Sequence, residues 1–206
     1  MKLQLALDRL TWDECIDVLD QTKNSVDIIE VGTGVIKEYG MAIVREVRKR
    51  FPSHTIMADM KTCDAGGHEA KQAFGAGANI VTVMAFSSSM TIQDTMNVAR
   101  EYDGRVMVDL LEVQHREKLN ELEKLDVALV SLHIGKDRQK KGAFNTDMFQ
   151  LVEGFPFEVA VAGGIDETTA GQAASGNPDI IIVGSAITKA DNPSIAAENI
   201  RKTIKG

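Results

Sequence analysis

The residues best suited to chemistry are concentrated in Asp59-Met60-Lys61-Thr62-Cys63-Asp64, where carboxylates flank a lysine in the spacing DxKxxD. Asp8, Glu30, Asp109 and His133 stand, like that motif, towards the carboxyl ends of short apolar runs. Side chains along an extended strand alternate between faces. Asp8 therefore shares a face with Ala6 and Gln4, Glu30 with Ile28 and Gly32, and Lys61 with Asp59 and Met57. A single strand-end aspartate has an ordinary explanation, as a cap for the next helix or as a solvated group. Several on one rim are harder to explain that way, because unit charges about 4 Å apart repel by roughly 4 kcal/mol at an effective dielectric of ~20. Lys61 offsets one charge, and a hard, oxygen-seeking divalent ion, with magnesium the leading candidate, could offset the rest. An imidazole titrates at about pH 6.5 in water, so His133 is the candidate general base. An isolated histidine is more often structural, and at this point both readings stand.

The elements that must position these residues follow from apolar periodicity. Eight apolar, mostly β-branched runs recur at 3–8, 26–32, 54–61, 79–85, 105–111, 127–135, 157–165 and 179–187. Between them lie segments of helical periodicity: WDECIDVLDQ behind a capping Thr11, then GMAIVREVRKR, HEAKQAFGAG, SMTIQDTMNVAREY, HREKLNELEKL, DETTAGQAASG and SIAAENIRKTIK. The 206 residues divided over eight units leave about 26 each, close to what a βαβ repeat needs. The pattern predicts an α/β fold, one (β/α)8 TIM barrel over residues 1–206, with no linker or break in composition. An open doubly wound sheet would usually have fewer strands, and no GxGxxG follows the first run. Barrel enzymes build their sites at the carboxyl ends of the strands, which is where the ionisable residues fall.

The last two runs carry a different signal. Gly163 and Gly164 end the seventh, with Asp166 placed to cap the next helix, and Gly184 and Ser185 end the eighth. Loops after strands seven and eight of such barrels often hold phosphate through backbone N–H groups, and glycine lets an anion approach closely. A glycine pair alone would be only a turn; two glycine sites at these two strands point to a phosphate-bearing ligand.

Composition narrows the partners. With 44% hydrophobic and 26% charged residues the chain has the makeup of a soluble globular domain, and no run approaches the roughly 20 apolar residues of a membrane span. The first residues, MKLQLALDRL, lack the apolar stretch of a secretory signal, so a cytoplasmic location is expected. A net charge of −7 argues against a nucleic acid partner. Cys15 and Cys63 have neither zinc nor disulfide spacing and read as buried free thiols. The nine methionines read as core filler, and His54, His68 and His115 as ordinary surface residues.

Taken in order, LALD, IEVGTG, ADMKTCDAGG, HIGKD, AGGI and VGSAIT resemble the orotidine monophosphate decarboxylase suprafamily, and the resemblance covers essentially the whole chain. Within it the pattern is most similar to the 3-hexulose-6-phosphate synthase family, with the 3-keto-L-gulonate-6-phosphate decarboxylases as nearest neighbours. The resemblance implies a magnesium-dependent aldol reaction in a homodimer, joining D-ribulose 5-phosphate and formaldehyde through an enediolate into D-arabino-3-hexulose 6-phosphate. It makes Glu30 and Asp59 the magnesium ligands, Lys61 the hydrogen-bond donor to the developing charge, and His133 the base. Asp8 and Asp64 would orient that lysine and the sugar hydroxyls, and in the family the aspartate at position 64 reaches the partner subunit's site. Lys136, Ala162 and Ser185 stand where the decarboxylases typically carry Arg, Thr and Arg, which favours the synthases. Lys136 is the ambiguous one, because it keeps the charge while losing the planar fork.

Overall fold

The computed structural model describes residues 1–135 and 145–205, and each of the eight apolar runs overlaps a strand. The strands are β1 (Lys2–Leu7), β2 (Ile28–Val31), β3 (Thr55–Thr62), β4 (Ile80–Met84), β5 (Arg105–Asp109), β6 (Leu129–His133), β7 (Glu158–Ala162) and β8 (Ile180–Val183). All pair in parallel with their sequence neighbours, and β8 pairs with β1 to close the barrel. Around it lie α1 (Trp12–Thr22), α2 (Thr33–Tyr39), α3 (Met41–Arg50), α4 (Gly66–Gly75), α5 (Ser89–Glu101), α6 (Arg116–Lys124), a 3-10 helix (Thr146–Leu151), α7 (Ala170–Ser175), α8 (Ser185–Thr188) and α9 (Pro193–Lys205). No helix among the described residues is long and apolar enough to cross a membrane.

The first helix shows how the local sequence builds an element. Thr11 receives the Glu14 N–H at 3.3 Å while the Glu14 carboxylate receives the Thr11 N–H at 2.7 Å, a capping box that satisfies two donors at once. Cys15, Ile16, Val18, Leu19 and Thr22 then share one buried face at helical spacing. Burial, with Glu14 adding to it, pushes the Cys15 thiol up to about 11, so it is an inert packing group.

Five features differ from the sequence reading, the first being that Cys63 is exposed while Cys15 is buried as expected. Helix α2 was not expected; it buries only Val35, so its periodicity is faint, and Gly40 at φ 60 separates it from α3. The apolar run through Ile187 does not continue as strand, because the chain leaves β8 at Val183 and winds Ser185 into α8. Ser185 therefore opens a helix rather than ending a strand. Asp166 does not cap α7: it accepts from the Thr168 and Thr169 N–H groups at 2.9 and 3.0 Å, and the helix starts only at Ala170. His54 is half-buried, holding the Lys23 carbonyl at 2.8 Å with its ring edge-on to Phe51.

The apolar interior forms two shells. Outward residues such as Leu5, Ile29, Val81 and Ile181 pack under the helices, while Ile28, Met57, Ile80, Met107, Leu129 and Ile180 plug the barrel.

Candidate active site

One step along the inner face turns the plug into a polar cup. Two residues beyond Ile28, Met57, Ile80, Met107 and Leu129 come Glu30, Asp59, Thr82, Asp109 and Ser131, and β6 continues to His133. These side chains line a cavity of about 420 Å³ at the carboxyl ends of the strands, together with Asp8, Lys61, Gly163, Gly164, Gly184 and Ser185. Of the sequence candidates, Asp64 is the exception: it is exposed and outside the cavity lining. Lys136 lies outside the described residues.

The acidic side of the cup is a continuous chain of bonds. The Lys61 ammonium lies 3.0 Å from Asp59 Oδ2 and 3.0 Å from Asp109 Oδ2, and Asp109 Oδ2 also meets His133 Nδ1 at 3.0 Å. The Leu111 N–H donates to the other Asp109 oxygen at 2.9 Å. Burial alone would raise the pKa of Asp109, but the bond and charge of His133, then those of Lys61, hold it down at about 2. An ionised Asp109 is an acceptor, so Nδ1 of His133 carries the proton and Nε2 is left to exchange protons with a ligand. Burial would likewise lower Lys61, yet Asp59 and Asp109 outweigh it and hold the ammonium charged.

Burial and the neighbouring Asp59 keep Glu30 protonated at neutral pH. Its carboxyl is pushed up to about 8, first by burial and then by Asp59; the Gln4 amide, donating at 2.7 Å, and Lys61 oppose the shift without cancelling it, and Asp8 adds to it. A hard divalent cation suits such a pair of buried oxygen donors. Among the described residues no three His, Cys, Asp or Glu side chains converge as a metal cluster, so the protein offers two carboxylates and leaves further positions to substrate or water. Asp59 is already loaded: Oδ1 accepts from Thr82 at 2.8 Å and Lys61 at 3.2 Å, and Oδ2 from Thr33 at 2.8 Å. A carboxylate has about four lone-pair sites, so Asp59 retains room for one further partner.

Local backbone explains the opposite side. Gly163 has φ 123, and a Cβ there would lie 2.6 Å from the Ile134 Cβ, so only glycine fits. Gly184 is looser, with 3.5 Å between a built Cβ and the Ala6 carbonyl; what it supplies is an open approach to the N–H groups of Ser185 and Ala186 at the start of α8, ahead of Ile187 and Thr188, which donate to the Gly184 carbonyl at 2.9 and 3.0 Å. Arg9 and Lys189 line the cavity as further cations.

Sequence reasoning missed Thr33 and Thr82 as partners of Asp59. Thr82 was findable, as a polar residue on an inward position of a strand two residues past Ile80; Thr33 was not, since it opens the unexpected α2.

Known proteins resemble this chain over nearly its whole length. The model of the orotidine 5'-phosphate decarboxylase / HUMPS family matches residues 1–200. A Staphylococcus haemolyticus protein named 3-hexulose-6-phosphate synthase is 32% identical over 209 residues, covering 100% of both chains. The solved 3-hexulose-6-phosphate synthase of Salmonella typhimurium matches with a TM-score of 0.95 at 35% identity, over 100% of this chain and 99% of that one. The KGPDC of Streptococcus mutans, solved as a complex, matches at 0.93 and 27% identity, over 99% and 97%.

Proposed function

The chain belongs to the orotidine 5'-phosphate decarboxylase / HUMPS family, and from that premise we infer an aldehyde-lyase activity, the 3-hexulose-6-phosphate synthase reaction. D-ribulose 5-phosphate and formaldehyde are joined reversibly into D-arabino-3-hexulose 6-phosphate. The observation that carries this reading is the bonded chain Asp59–Lys61–Asp109–His133 facing a glycine-lined seat across one cavity. The decarboxylase alternative is the weaker one, because identity falls from 35% to 27% and Ala162 and Ser185 occupy the cavity wall where a threonine and an arginine would mark that family.

In the proposed mechanism the phosphate sits against the backbone of Gly163, Gly164, Gly184 and Ser185, which leaves the sugar's carbonyl end over the acidic side. His133 Nε2 takes the C1 proton, and the C–H electrons form the C1–C2 double bond of an enediolate. Lys61 hydrogen-bonds to the oxygen that acquires the charge, and Asp8 orients the sugar hydroxyls. Glu30 and Asp59 would hold a magnesium ion, which when bound supplies positive charge beside the substrate oxygens. The electrons of the C1–C2 double bond then form the new C–C bond to formaldehyde as the C2 carbonyl is restored, and the former formaldehyde oxygen takes the proton held on His133.

The reading includes a cytoplasmic homodimer with shared sites. Asp64 is exposed beside the start of α4, which is packed against Thr91, and the neighbouring Phe86 and Met90 are 60% and 74% exposed. Large exposed apolar groups at and just before the start of α5, the helix packed against α4, suit an interface that carries Asp64 into a second copy's cavity. Mixing Asp64→Ala and His133→Asn proteins should then restore turnover that neither has alone; absence of recovery, or a monomer by sedimentation, rejects the shared site.

The test of the reaction is an assay with ribulose 5-phosphate, formaldehyde and magnesium beside one with 3-keto-L-gulonate 6-phosphate. Formaldehyde consumption with only minor release of carbon dioxide is expected. Carbon dioxide release as the main activity would install the decarboxylase instead.

A further inference from the structure

Beside the site, β3 and β4 fall out of simple register. Ala58 pairs with Val81 and Thr62 with Val83, so four steps on β3 match two on β4. Lys61 lies in the surplus with φ 47, a left-handed residue inside a strand. Its N–H donates to the Thr82 hydroxyl at 2.9 Å, a side-chain oxygen standing in for a ladder partner at the break. That hydroxyl has a single proton, which it donates to Asp59 Oδ1 at 2.8 Å. Thr82 is 2% exposed, so water does not compete for either bond.

We propose that Thr82 is the positioning residue of the site, one hydroxyl that fixes the Lys61 backbone and the Asp59 carboxylate relative to each other. It thereby sets where the Lys61 ammonium stands between Asp59 and Asp109. Thr33 grips the other Asp59 oxygen and not Lys61, so among the described residues Thr82 is the side chain bonded to both the Asp59 carboxylate and the Lys61 backbone. The neighbouring inward position on the same strand, Ile80, needs only bulk, and valine at position 82 would supply that bulk without the bonds.

The experiment compares Thr82→Val and Thr82→Ser in the full chain, reading kcat, KM for ribulose 5-phosphate, thermal unfolding and deuterium exchange of the Lys61 amide. The valine variant should lose about 10²-fold in kcat while KM stays within about threefold, because the glycine seat on β7 and β8 is untouched. Its Lys61 amide should exchange about tenfold faster or more, and serine should recover most of both effects. Wild-type kcat and Lys61 exchange in the valine variant overturn the proposal. So does a serine variant as impaired as valine, since the methyl would then matter and not the hydroxyl. Should valine fail to fold, Thr82→Ser against Thr82→Ala reads the same contrast, and equal behaviour overturns it. The kinetic readout rests on the proposed aldol reaction, whereas amide exchange does not. An inactive wild type beside rapid Lys61 exchange in the valine variant rejects the reaction and keeps the hydroxyl's role.

Discussion

Among the described residues the non-glycine left-handed positions at the amino-terminal base of the barrel are Asp103, Asp126 and Asn177, whereas at the mouth they are Arg9, Lys61, Ala65 and Glu112. The first set contains the residue types that accept this conformation, and the second does not. At the base each turn also closes its own bonds. The N–H groups of Ala78, Gly104 and Val127 reach back to the Ala73, Ala99 and Leu122 carbonyls at 3.1, 2.8 and 3.1 Å, ending α4, α5 and α6 in the same way. Asp27, Asn79 and Asp179 then accept the N–H of Leu3, Ile56 and Val159 at 2.9, 2.9 and 2.8 Å, tying neighbouring strand starts together. At the mouth the strained Lys61 is held by a bond from another strand, and buried charge collects around it. Local rules are obeyed where the barrel is only being held together and broken where it handles a ligand, at about 1–2 kcal/mol for each misplaced residue.

Substitutions at the two ends must therefore separate. The largest effect belongs to His133→Asn, which should bind ribulose 5-phosphate nearly normally yet lose solvent exchange of the C1 proton by about 10²–10⁴-fold. Retained exchange with lost aldol product would move His133 to the formaldehyde step and shift the base to Asp8 or Asp64. Next comes Glu30→Gln. Activity should fall by about 10²–10³-fold and the stabilisation by magnesium should vanish, while the metal-free melting temperature at neutral pH rises, because a carboxyl pushed up to about 8 must take up a proton on folding and an amide need not. Near-normal turnover would remove Glu30 from the metal site.

Asp109 sharpens the contrast through pH. Its folded value of about 2 is below the ordinary 3.8, so its contribution to stability is fully present above 3.8 and is lost as pH falls through about 2. The shift corresponds to about 2 kcal/mol, and Asp109→Asn should flatten the pH dependence of unfolding in that window. An unchanged acid transition would contradict the assignment. At the base, Asp27→Ala removes the bond to Leu3 and the 3.1 Å pair with Arg201 and should cost about 1–2 kcal/mol with kcat unchanged. Altered kcat would blur the division between the ends. The smallest effect is Ala65→Gly, which should raise stability by about 1 kcal/mol, or about 2–4 °C, by relieving φ 53; Asp103→Gly should gain less. Equal gains would mean that the mouth is no more strained than the base.

Much of this was legible without a structure because period-two alternation survives folding. The eight apolar runs became strands, and Glu30, Asp59, Asp109 and His133 lie in the cavity wall that their strand-end positions indicated. Helix α2 was not legible, since seven residues burying one valine give no stripe to read. The end of β8 was misjudged for the opposite reason: apolar residues continue through Ile187, and only the turn at Gly184 interrupts them.

By itself the sequence determined the alternation of strand and helix, the face on which each ionisable group lies, and the ordered motifs that mark the family. These are properties of neighbours along the chain. Only the tertiary structure decided the pairings: Lys61 with Asp109, 48 residues away, Gln4 with Glu30, 26 residues away, and Thr82 across a break in register. Closing the barrel brings distant strand ends within about 3 Å, where direction and burial decide which oxygen receives which proton, and no spacing along the chain encodes that.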